Sequence, residues 1–251
     1  MTAEALLWLD ECTRHGVDAS AAECSLVMVD KDETPLKRHL NAIVPVSFAC
    51  VGERMMVSAY PSVRTVIDAH FEKYRSPEPL FSEDAFAALD RALRPHLAAW
   101  GYKPAMFPSR YGISLIQDTA DALYVSSVLD GTKRLTEELF SRINLTSMKP
   151  TDCAARGAYA QIADGQIVCI ASVNRVSDLE RCVEIGVECA PDYRRRGYAA
   201  SCVRALTRDL CEGGNVVLYR HYHTNIGSAA VARAAGFRPV GRFFSYTSFA
   251  I

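Results

Sequence analysis

The 251-residue sequence lacks several features that would assign a protein to a class at once. Its nine cysteines include no Cys-x-x-Cys pair, which argues against a zinc site and against a small disulfide scaffold. No apolar run approaches the ~20 residues that a membrane helix needs, and the N-terminal segment MTAEALLWLDEC has no basic region of the signal-peptide kind. We therefore expect a soluble, cytoplasmic protein with reduced cysteines and no bound metal.

The sequence also lacks a basic excess. It carries 28 Lys and Arg residues against 29 Asp and Glu residues, a formal net charge of −1. A general nucleic-acid binder or membrane-surface binder would normally be basic, so neither partner is expected. The three consecutive arginines Arg194, Arg195 and Arg196 keep a nucleic-acid interpretation open as an alternative, although no basic helix or interleaved aromatic residues accompany them.

Two common phosphate-binding loops are missing as well. There is no Gly-x-x-x-x-Gly-Lys-Ser/Thr sequence and no Gly-x-Gly-x-x-Gly sequence. Their absence argues against a nucleoside triphosphate and against a dinucleotide as the natural ligand.

Hydrophobic periodicity and turn residues divide the chain into two parts. The first part mixes helix and strand, beginning with an amphipathic helix over Ala3–Arg14 and including a helix with Ser82 as N-cap and Gly101 beyond its end. Prolines, Ser109 and Gly112 interrupt the pattern over Pro104–Gln117. We therefore predict an N-terminal α+β domain over residues 1–118 and a second domain over residues 119–251.

The second part contains clear patterns for both strands and helices. The patterns predict the following elements in order: a strand at Leu123–Val128, a helix at Thr132–Ile143, strands at Ala158–Ile162 and Ile167–Val173 joined by a tight turn at Asp164-Gly165, a strand at Cys182–Cys189, a helix at Tyr198–Cys211, a strand at Asn215–Thr224, a helix at Gly227–Ala235, and one or two strands at Phe237–Ile251.

The junction between the strand at Cys182–Cys189 and the helix that follows is suited to an anion. The first four N–H groups of a helix have no partner within the helix, and the helix dipole adds positive potential there. Gly197, Ala199 and Ala200 allow close approach to these N–H groups, and the three preceding arginines add positive charge. A diphosphate would fit such a site.

The segment Arg194–Ala199 resembles the Arg/Gln-x-x-Gly-x-Gly/Ala signature of the GNAT superfamily of acyl-CoA-dependent N-acyltransferases. The preceding residues EIGVECAPDY are similar to the fourth strand of that family, and the segments Asn225–Ser228 and Ala234–Phe237 to its second coenzyme A segment. The resemblance covers about residues 119–251. It implies a mixed, mostly antiparallel sheet flanked by helices.

The resemblance further implies a set of residues that contact coenzyme A: Val187, Cys189, Arg194, Arg195, Arg196, Gly197, Tyr198, Ala199, Ala200, Asn225 and Ser228. The resemblance and the residue types together give the residues expected to act in catalysis: Glu184, Glu188, His221 and Tyr246.

Each catalytic candidate has a chemical reason. Glu184 and Glu188 are four residues apart and share a strand face, and Glu184 is the preferred base that would deprotonate the amine. His221 shares a face with His223, and histidine as a residue type is suited to accepting a proton near neutral pH. A backbone N–H where the strand bulges, between Val187 and Cys189, would receive the negative charge of the carbonyl oxygen.

One position departs from the family pattern. Many relatives have a tyrosine seven residues after the helix-opening asparagine, where this sequence has Ala232. The role of protonating the departing thiolate would pass to Tyr219, Tyr222 or Tyr246, or would not be needed.

The function expected from the resemblance is transfer of an acetyl or short acyl group from acetyl-CoA, the co-substrate, to a primary amine on a small molecule or peptide. A non-catalytic acyl-CoA-binding regulator with the same fold is the alternative. The N-terminal domain would either cover the acceptor cleft or be a decayed copy of the fold. A homodimer is compatible with the sequence.

Overall fold

The structure is a computed structural model that describes residues 2–17, 26–37, 40–103, 111–117, 127–142, 157–176 and 181–251. The domain boundary predicted near residue 118 lies outside these ranges and stays a prediction. Most of the strand predicted at Leu123–Val128 also lies outside them.

The described residues form both helices and strands. The α-helices are α1 (Ala3–Arg14), α2 (Thr34–Lys37), α3 (Arg64–Lys73), α4 (Pro77–Leu80), α5 (Glu83–Trp100), α6 (Tyr198–Glu212) and α7 (Ile226–Ala234), and short 3-10 helices lie at Pro61–Val63, Glu137–Arg142 and Pro191–Tyr193. The strands are β1 (Leu26–Asp30), β2 (Ala42–Val51), β3 (Arg54–Ala59), β4 (Tyr102–Lys103), β5 (Tyr111–Gln117), β6 (Thr132–Arg134), β7 (Ala158–Ala163), β8 (Gln166–Val176), β9 (Cys182–Cys189), β10 (Val216–Tyr222) and β11 (Arg238–Ala250).

The chain divides into two compact units, each of which contains segments from both ends of the sequence. Unit 1 comprises Met1–Asp10, Ser114–His221 and Asn225–Val240. Unit 2 comprises Glu11–Ile113, Tyr222–Thr224 and Gly241–Ile251.

Unit 1 is built on a mixed sheet with the strand order β5-β10-β9-β8-β7-β6. The strands from β6 to β9 are antiparallel to their neighbours, whereas β9 and β10 run parallel. Helix α6 packs against β7, β8 and β9 and against α7. The prediction of a mixed, mostly antiparallel sheet flanked by helices is therefore confirmed.

The hairpin between β7 and β8 follows from its turn residues. Asp164 has φ 52° and Gly165 has φ 77°, the positive values that a two-residue hairpin turn requires. Gly165 adopts such a φ without steric cost, and an aspartate tolerates it better than most residues. The predicted turn is confirmed.

The helix predicted over Thr132–Ile143 is wrong. Thr132 to Arg134 instead form β6, which pairs with β7, and a 3-10 helix follows at Glu137–Arg142. Pairing with the neighbouring strand overrides the local helical spacing, because backbone N–H and C=O groups of β6 find hydrogen-bond partners on β7.

Unit 2 contains a run of neighbouring strands and a large apolar core. The strand order is β1-β3-β2-β11, with β4 also paired to β11. Helix α5 covers the core with Phe86, Leu89, Leu93 and Leu97, all at most 2% exposed. Its ends are those the sequence predicts.

The caps of α5 follow common chemistry. The Ser82 hydroxyl accepts from the N–H of Ala85 at 3.2 Å, and Gly101 ends the helix with φ 79°. In the part of the chain that the structure describes, no helix is long and apolar enough to cross a membrane.

A buried acid links α5 to β11 within unit 2. Tyr246 is 1% exposed, and its hydroxyl donates a hydrogen bond to Asp90 Oδ1. Arg94 donates from Nε to the other oxygen of Asp90 at 2.8 Å. Asp90 therefore has both carboxylate oxygens satisfied within the unit.

We expect Tyr246→Phe to destabilise the protein by about 1–3 kcal/mol, because one buried oxygen of Asp90 loses its donor. Denaturant unfolding measures this change. Tyr222→Phe, at a tyrosine that is 53% exposed, should change stability by less than ~0.5 kcal/mol. Equal stability of the Tyr246 variant and the wild type would contradict the structural role of this hydrogen bond.

Candidate active site

The first component of the site is the N-terminus of α6. The first hydrogen bond within this helix runs from Ser201 N to Gly197 O at 3.0 Å. The amides of Tyr198, Ala199 and Ala200 therefore precede any intrahelical partner, and Gly197 has no side chain with which to cap them. Uncapped amides at a helix N-terminus are suited to binding an anion.

The turn that exposes these amides requires left-handed backbone. Gly197 has φ 81°, and Arg195 has φ 63°, a conformation that costs a non-glycine residue roughly 1–2 kcal/mol. A Cβ on Gly197 would lie 3.6 Å from Leu129 Cδ1, an ordinary contact. Backbone conformation, rather than crowding, is therefore the reason for a glycine at this position.

The three arginines are exposed, but they are placed differently. Arg194 Nε donates to Cys189 O at 3.2 Å, and Arg196 donates to Asp192 O at 3.1 Å and lies 5.0 Å from the Tyr193 ring. For Arg195 the structure records no side-chain partner within the described ranges. Arg195 therefore has the greatest freedom to reach an anion at the turn.

The second component is a divergence of two strands. The parallel ladder between β9 and β10 begins at Cys182–Val216 and ends at Ile185–Tyr219. Beyond this point β9 continues to Cys189 and remains paired with β8 alone. A gap therefore opens between β9 and β10.

Backbone groups of β9 face this gap. Ala190 N donates to Val168 O on β8 at 2.8 Å. Because such pairs alternate along an antiparallel ladder, Glu188 also bonds to β8, whereas the amides of Val187 and Cys189 point toward the opposite edge. Two donors are thus directed at the space between the strands. The pairing of β9 and β8 is regular here, so the bulge predicted around these residues is absent.

A cavity of about 590 Å³ joins the helix end to the gap. Of the eleven residues predicted to contact coenzyme A, all except Arg196 line it. The remaining lining residues are Glu188, Tyr193, Tyr219, Gly227, Ala230, Val231 and Ala234. The roles assigned to these residues remain predictions.

Two of the predicted contacts also have a structural task. The Asn225 side chain accepts a hydrogen bond from Ser228 N at 3.0 Å and so caps α7. The Ser228 hydroxyl pairs with the Tyr219 hydroxyl at 2.8 Å. Together these contacts hold the start of α7 against the wall of the cavity.

A second cavity of about 340 Å³ adjoins the first. Four residues line both: Val187, Glu188, Tyr219 and Ser228. The other residues that line the second cavity are Asn174, Glu184, Ile185, Gly186 and Arg220. The place where the two cavities meet therefore combines a carboxylate, two hydroxyl groups and a strand amide.

The two candidate carboxylates differ in their surroundings. Glu184 Oε2 lies 3.7 Å from Arg175 Nε and 3.6 Å from Arg220 Nη1, so it faces two guanidinium groups. Glu188 lines both cavities, whereas Glu184 lines only the smaller one. Glu188 therefore lies where the two cavities meet and Glu184 does not, and the role of base remains a prediction for both.

A local irregularity shapes the smaller cavity. The register between β8 and β9 shifts between Val173 and Arg175, and the residue between them, Asn174, lines the cavity. A Cβ on Gly186 would lie 2.4 Å from Asn174 Nδ2. Gly186 therefore provides the space that the Asn174 amide occupies.

Two of the predicted catalytic residues do not line either cavity. His221 is buried, with its ring centroid 6.4 Å from that of Tyr219. Tyr246 lies in the core of unit 2 on Asp90. β10 ends at Tyr222, so His223 is not on the strand and instead stacks on Tyr111 at 4.2 Å.

Of the three candidate acids Tyr219, Tyr222 and Tyr246, Tyr219 lines both cavities. Burial raises its pKa above the usual value of 10, so the hydroxyl keeps its proton at neutral pH. Ala232, at the position of the family tyrosine, is fully buried. The sequence leaves Tyr219, Tyr222 and Tyr246 open for the role of acid, and their positions relative to the cavities separate them.

Sequence reasoning missed Arg220 and Asn174. Burial lowers the pKa of Arg220 to about 10, which still leaves the guanidinium charged at neutral pH. No motif marks either residue. Among the described residues, no cluster of three or more His, Cys, Asp or Glu side chains is arranged to hold a metal ion.

Comparisons with known proteins agree with this description of unit 1. The sequence model of the acetyltransferase (GNAT) domain matches residues 116–238. No curated protein matches the chain in sequence.

Several solved structures resemble the chain. A GCN5-related N-acetyltransferase from Kribbella flavida has 19% identity over 86% of this chain and 91% of that chain, with a TM-score of 0.44. The corresponding enzyme from Sphaerobacter thermophilus has 14% identity over 98% of this chain and 90% of that chain, with a TM-score of 0.42.

An acetyltransferase of the GNAT family from Colwellia psychrerythraea has 14% identity over 60% of this chain and a TM-score of 0.44, and the chain spans 57% of its length. Likenesses at this level carry no information about substrates. The match to the family model and the recognition of the Arg194–Ala199 loop come from the sequence and do not depend on these structural likenesses. Residues 116–238 form a domain of the GNAT acetyltransferase family.

Proposed function

We propose that the protein transfers an acetyl group, or another short acyl group, from acetyl-CoA to a primary amine by direct attack in a ternary complex. The observation that carries the proposal is the meeting of the two cavities at Val187, Glu188, Tyr219 and Ser228. The larger cavity receives the thioester donor and the smaller one receives the amine. A cytoplasmic location is part of the same proposal, in keeping with the free thiols of the described cysteines.

The donor cavity fits an acyl carrier with a diphosphate. The amides of Gly197 to Ala200 bind the phosphate oxygens, and each favourable charge at a helix end contributes ~0.3–1 kcal/mol when exposed and up to ~2 kcal/mol when partly buried. Arg195 and Arg194 add positive charge at the same turn. The gap between β9 and β10 takes the extended arm that joins the diphosphate to the thiol.

The amine must lose a proton before it attacks. Glu188 accepts that proton, directly or through a water molecule, because its carboxylate lies where the two cavities adjoin. The bond between the amine nitrogen and the carbonyl carbon then forms. Glu184, between two guanidinium groups, acts as part of the polar wall of the acceptor cavity.

The remaining groups act on the carbonyl oxygen and the sulfur. The amide of Val187 faces the gap and donates to the carbonyl oxygen as negative charge develops there. When the carbon–sulfur bond breaks, the Tyr219 hydroxyl donates its proton to the departing thiolate, and the second proton that the amine nitrogen loses restores the hydroxyl. The raised pKa keeps this hydroxyl protonated at neutral pH.

A substitution at Gly197 tests the diphosphate site. Gly197→Glu places a negative charge and a side chain at the helix end, and we expect affinity for CoA to fall by about 100-fold or more, measured by calorimetry. Gly214→Glu is the matched control, because Gly214 also has φ 81° and lies just after the other end of α6. Similar CoA affinities for the two variants would contradict the placement.

The second prediction separates the two carboxylates. We expect Glu188→Gln to lower kcat by about 100-fold or more while the Kd for acetyl-CoA changes by less than ~2-fold. Glu184→Gln should mainly raise KM for the amine. The reverse pattern, with kcat lost only in the Glu184 variant, would restore Glu184 as the base.

The third prediction concerns the acid. Tyr219→Phe should lower kcat by about 10-fold to 100-fold, with the largest effect on donors whose thiol leaves poorly. Tyr222→Phe, three residues along β10 and exposed, should leave kcat unchanged. Because the pKa of Tyr219 is raised, the wild-type enzyme should not lose this acid below about pH 10.

The same assays decide between an enzyme and a non-catalytic acyl-CoA-binding protein. Release of CoA thiol from acetyl-CoA is followed in the presence of a panel of primary amines. Sustained release that depends on the amine supports the proposal. Binding of acetyl-CoA without turnover for any amine supports the binder.

A further inference from the structure

A buried carboxylate on the N-terminal helix is connected through an arginine to the wall of the proposed acceptor cavity. Asp10 lies on α1 and is 1% exposed. Its Oδ1 accepts a hydrogen bond from Arg175 Nη1 at 3.2 Å, and its Oδ2 accepts one from Arg175 Nη2. Asp10 thus binds the guanidinium of Arg175 through both oxygens, the geometry that fixes such a group most firmly.

Arg175 in turn faces the wall of that cavity. Its Nε is buried, has no hydrogen-bond partner among the described residues, and lies 3.7 Å from Glu184 Oε2. The same Glu184 oxygen lies 3.6 Å from Arg220 Nη1. Asp10 therefore holds Arg175 at hydrogen-bond distance, and Arg175 faces Glu184 at ion-pair distance.

Arg220 completes the row of alternating charges. Its side chain is 10% exposed, and its Nε donates to Ser114 Oγ at 3.3 Å. Glu184 and Arg220 both line the 340 Å³ cavity, whereas Asp10 and Arg175 do not line it. All four residues belong to unit 1.

We propose that Asp10 is a positioning residue for the acceptor amine, acting through Arg175 on the Glu184–Arg220 pair that lines the smaller cavity. This inference rests on the proposed function of that cavity. Asp10 touches no substrate. It lies outside residues 116–238, so the part of the chain that precedes the family domain contributes a residue on which the acceptor site depends.

The physical reason is competition for Arg175. Without the Asp10 charge, Glu184 is the nearest carboxylate that can compensate Arg175, and a buried charge without compensation is costly. Glu184 then moves toward Arg175 and away from Arg220. Displacement of a wall residue by ~1 Å is enough to weaken the placement of a small substrate by about 10-fold or more.

The test compares Asp10→Asn with Asp90→Asn, a matched control because Asp90 is also a buried acid bound to an arginine, but in unit 2. We expect Asp10→Asn to raise KM for the amine about 10-fold, with the Kd for acetyl-CoA unchanged within ~2-fold. Asp90→Asn should lower the melting temperature and leave both constants unchanged. Equal amine KM values for the two variants would overturn the proposal.

A second readout does not depend on turnover. The Nε–H resonances of Arg175 and Arg220 in ¹⁵N-labelled protein report the position of each guanidinium. Asp10→Asn should shift both resonances, and Asp90→Asn should shift neither. An unchanged Arg220 resonance in the Asp10 variant overturns the relay even if the wild type proves inactive, whereas wild-type inactivity with a shifted resonance counts against the proposed function alone.

Arg175→Lys serves where Asp10→Asn does not fold. It keeps the charge and removes the planar fork that contacts both carboxylates. We expect the same rise in amine KM and the same shift of the Arg220 resonance. Wild-type values for both would contradict the role of Arg175, and with it that of Asp10.

Discussion

The site depends on the point at which β9 and β10 stop pairing. Up to Ile185 and Tyr219 the two strands satisfy each other's backbone groups, and beyond that point they separate. The separation turns the amide of Val187 toward open space and lets Tyr219 line two cavities. An ordinary ladder continued to Cys189 would bury those groups in hydrogen bonds and leave no room for an acyl carrier.

The end of β9 also fixes the helix that follows. A short 3-10 turn and two left-handed residues, Arg195 and Gly197, redirect the chain so that α6 begins with uncapped amides at one end of the same cavity. Positive potential therefore lies at this end, while a carboxylate and two hydroxyl groups lie where the cavities meet. The polar wall beyond, with Glu184 and Arg220, lines the cavity that we propose for the acceptor.

Local signals in the sequence predicted the parts of this arrangement that local chemistry decides. The bounds of β9, the start of α6 at Tyr198 and the turn at Asp164 follow from strand patterns, small residues and positive φ, and the structure agrees. The helix expected at Thr132–Ile143 fails because pairing with β7 outweighs spacing along the chain. Strand parity placed Glu184 and Glu188 on one face, but it could not show that Arg175 and Arg220 lie beside Glu184.

For the same reason, the roles of residues that contact each other from far apart in the sequence could not be predicted. Tyr246 was a reasonable acid by residue type, yet its contact with Asp90 joins positions 156 residues apart. Asp10 and Arg175 are separated by 165 residues, and no motif marks either. Contacts of this kind arise only when the fold brings separate segments together. Such contacts determine which of several side chains of the same type lines the two cavities.

A crystal structure with acetyl-CoA bound tests the proposed site most directly. We expect the diphosphate within hydrogen-bond distance of the backbone amides of Gly197 to Ala200, and the thioester carbonyl oxygen next to the Val187 amide. A diphosphate bound elsewhere, with those helix amides unoccupied, would contradict the proposed mode of binding.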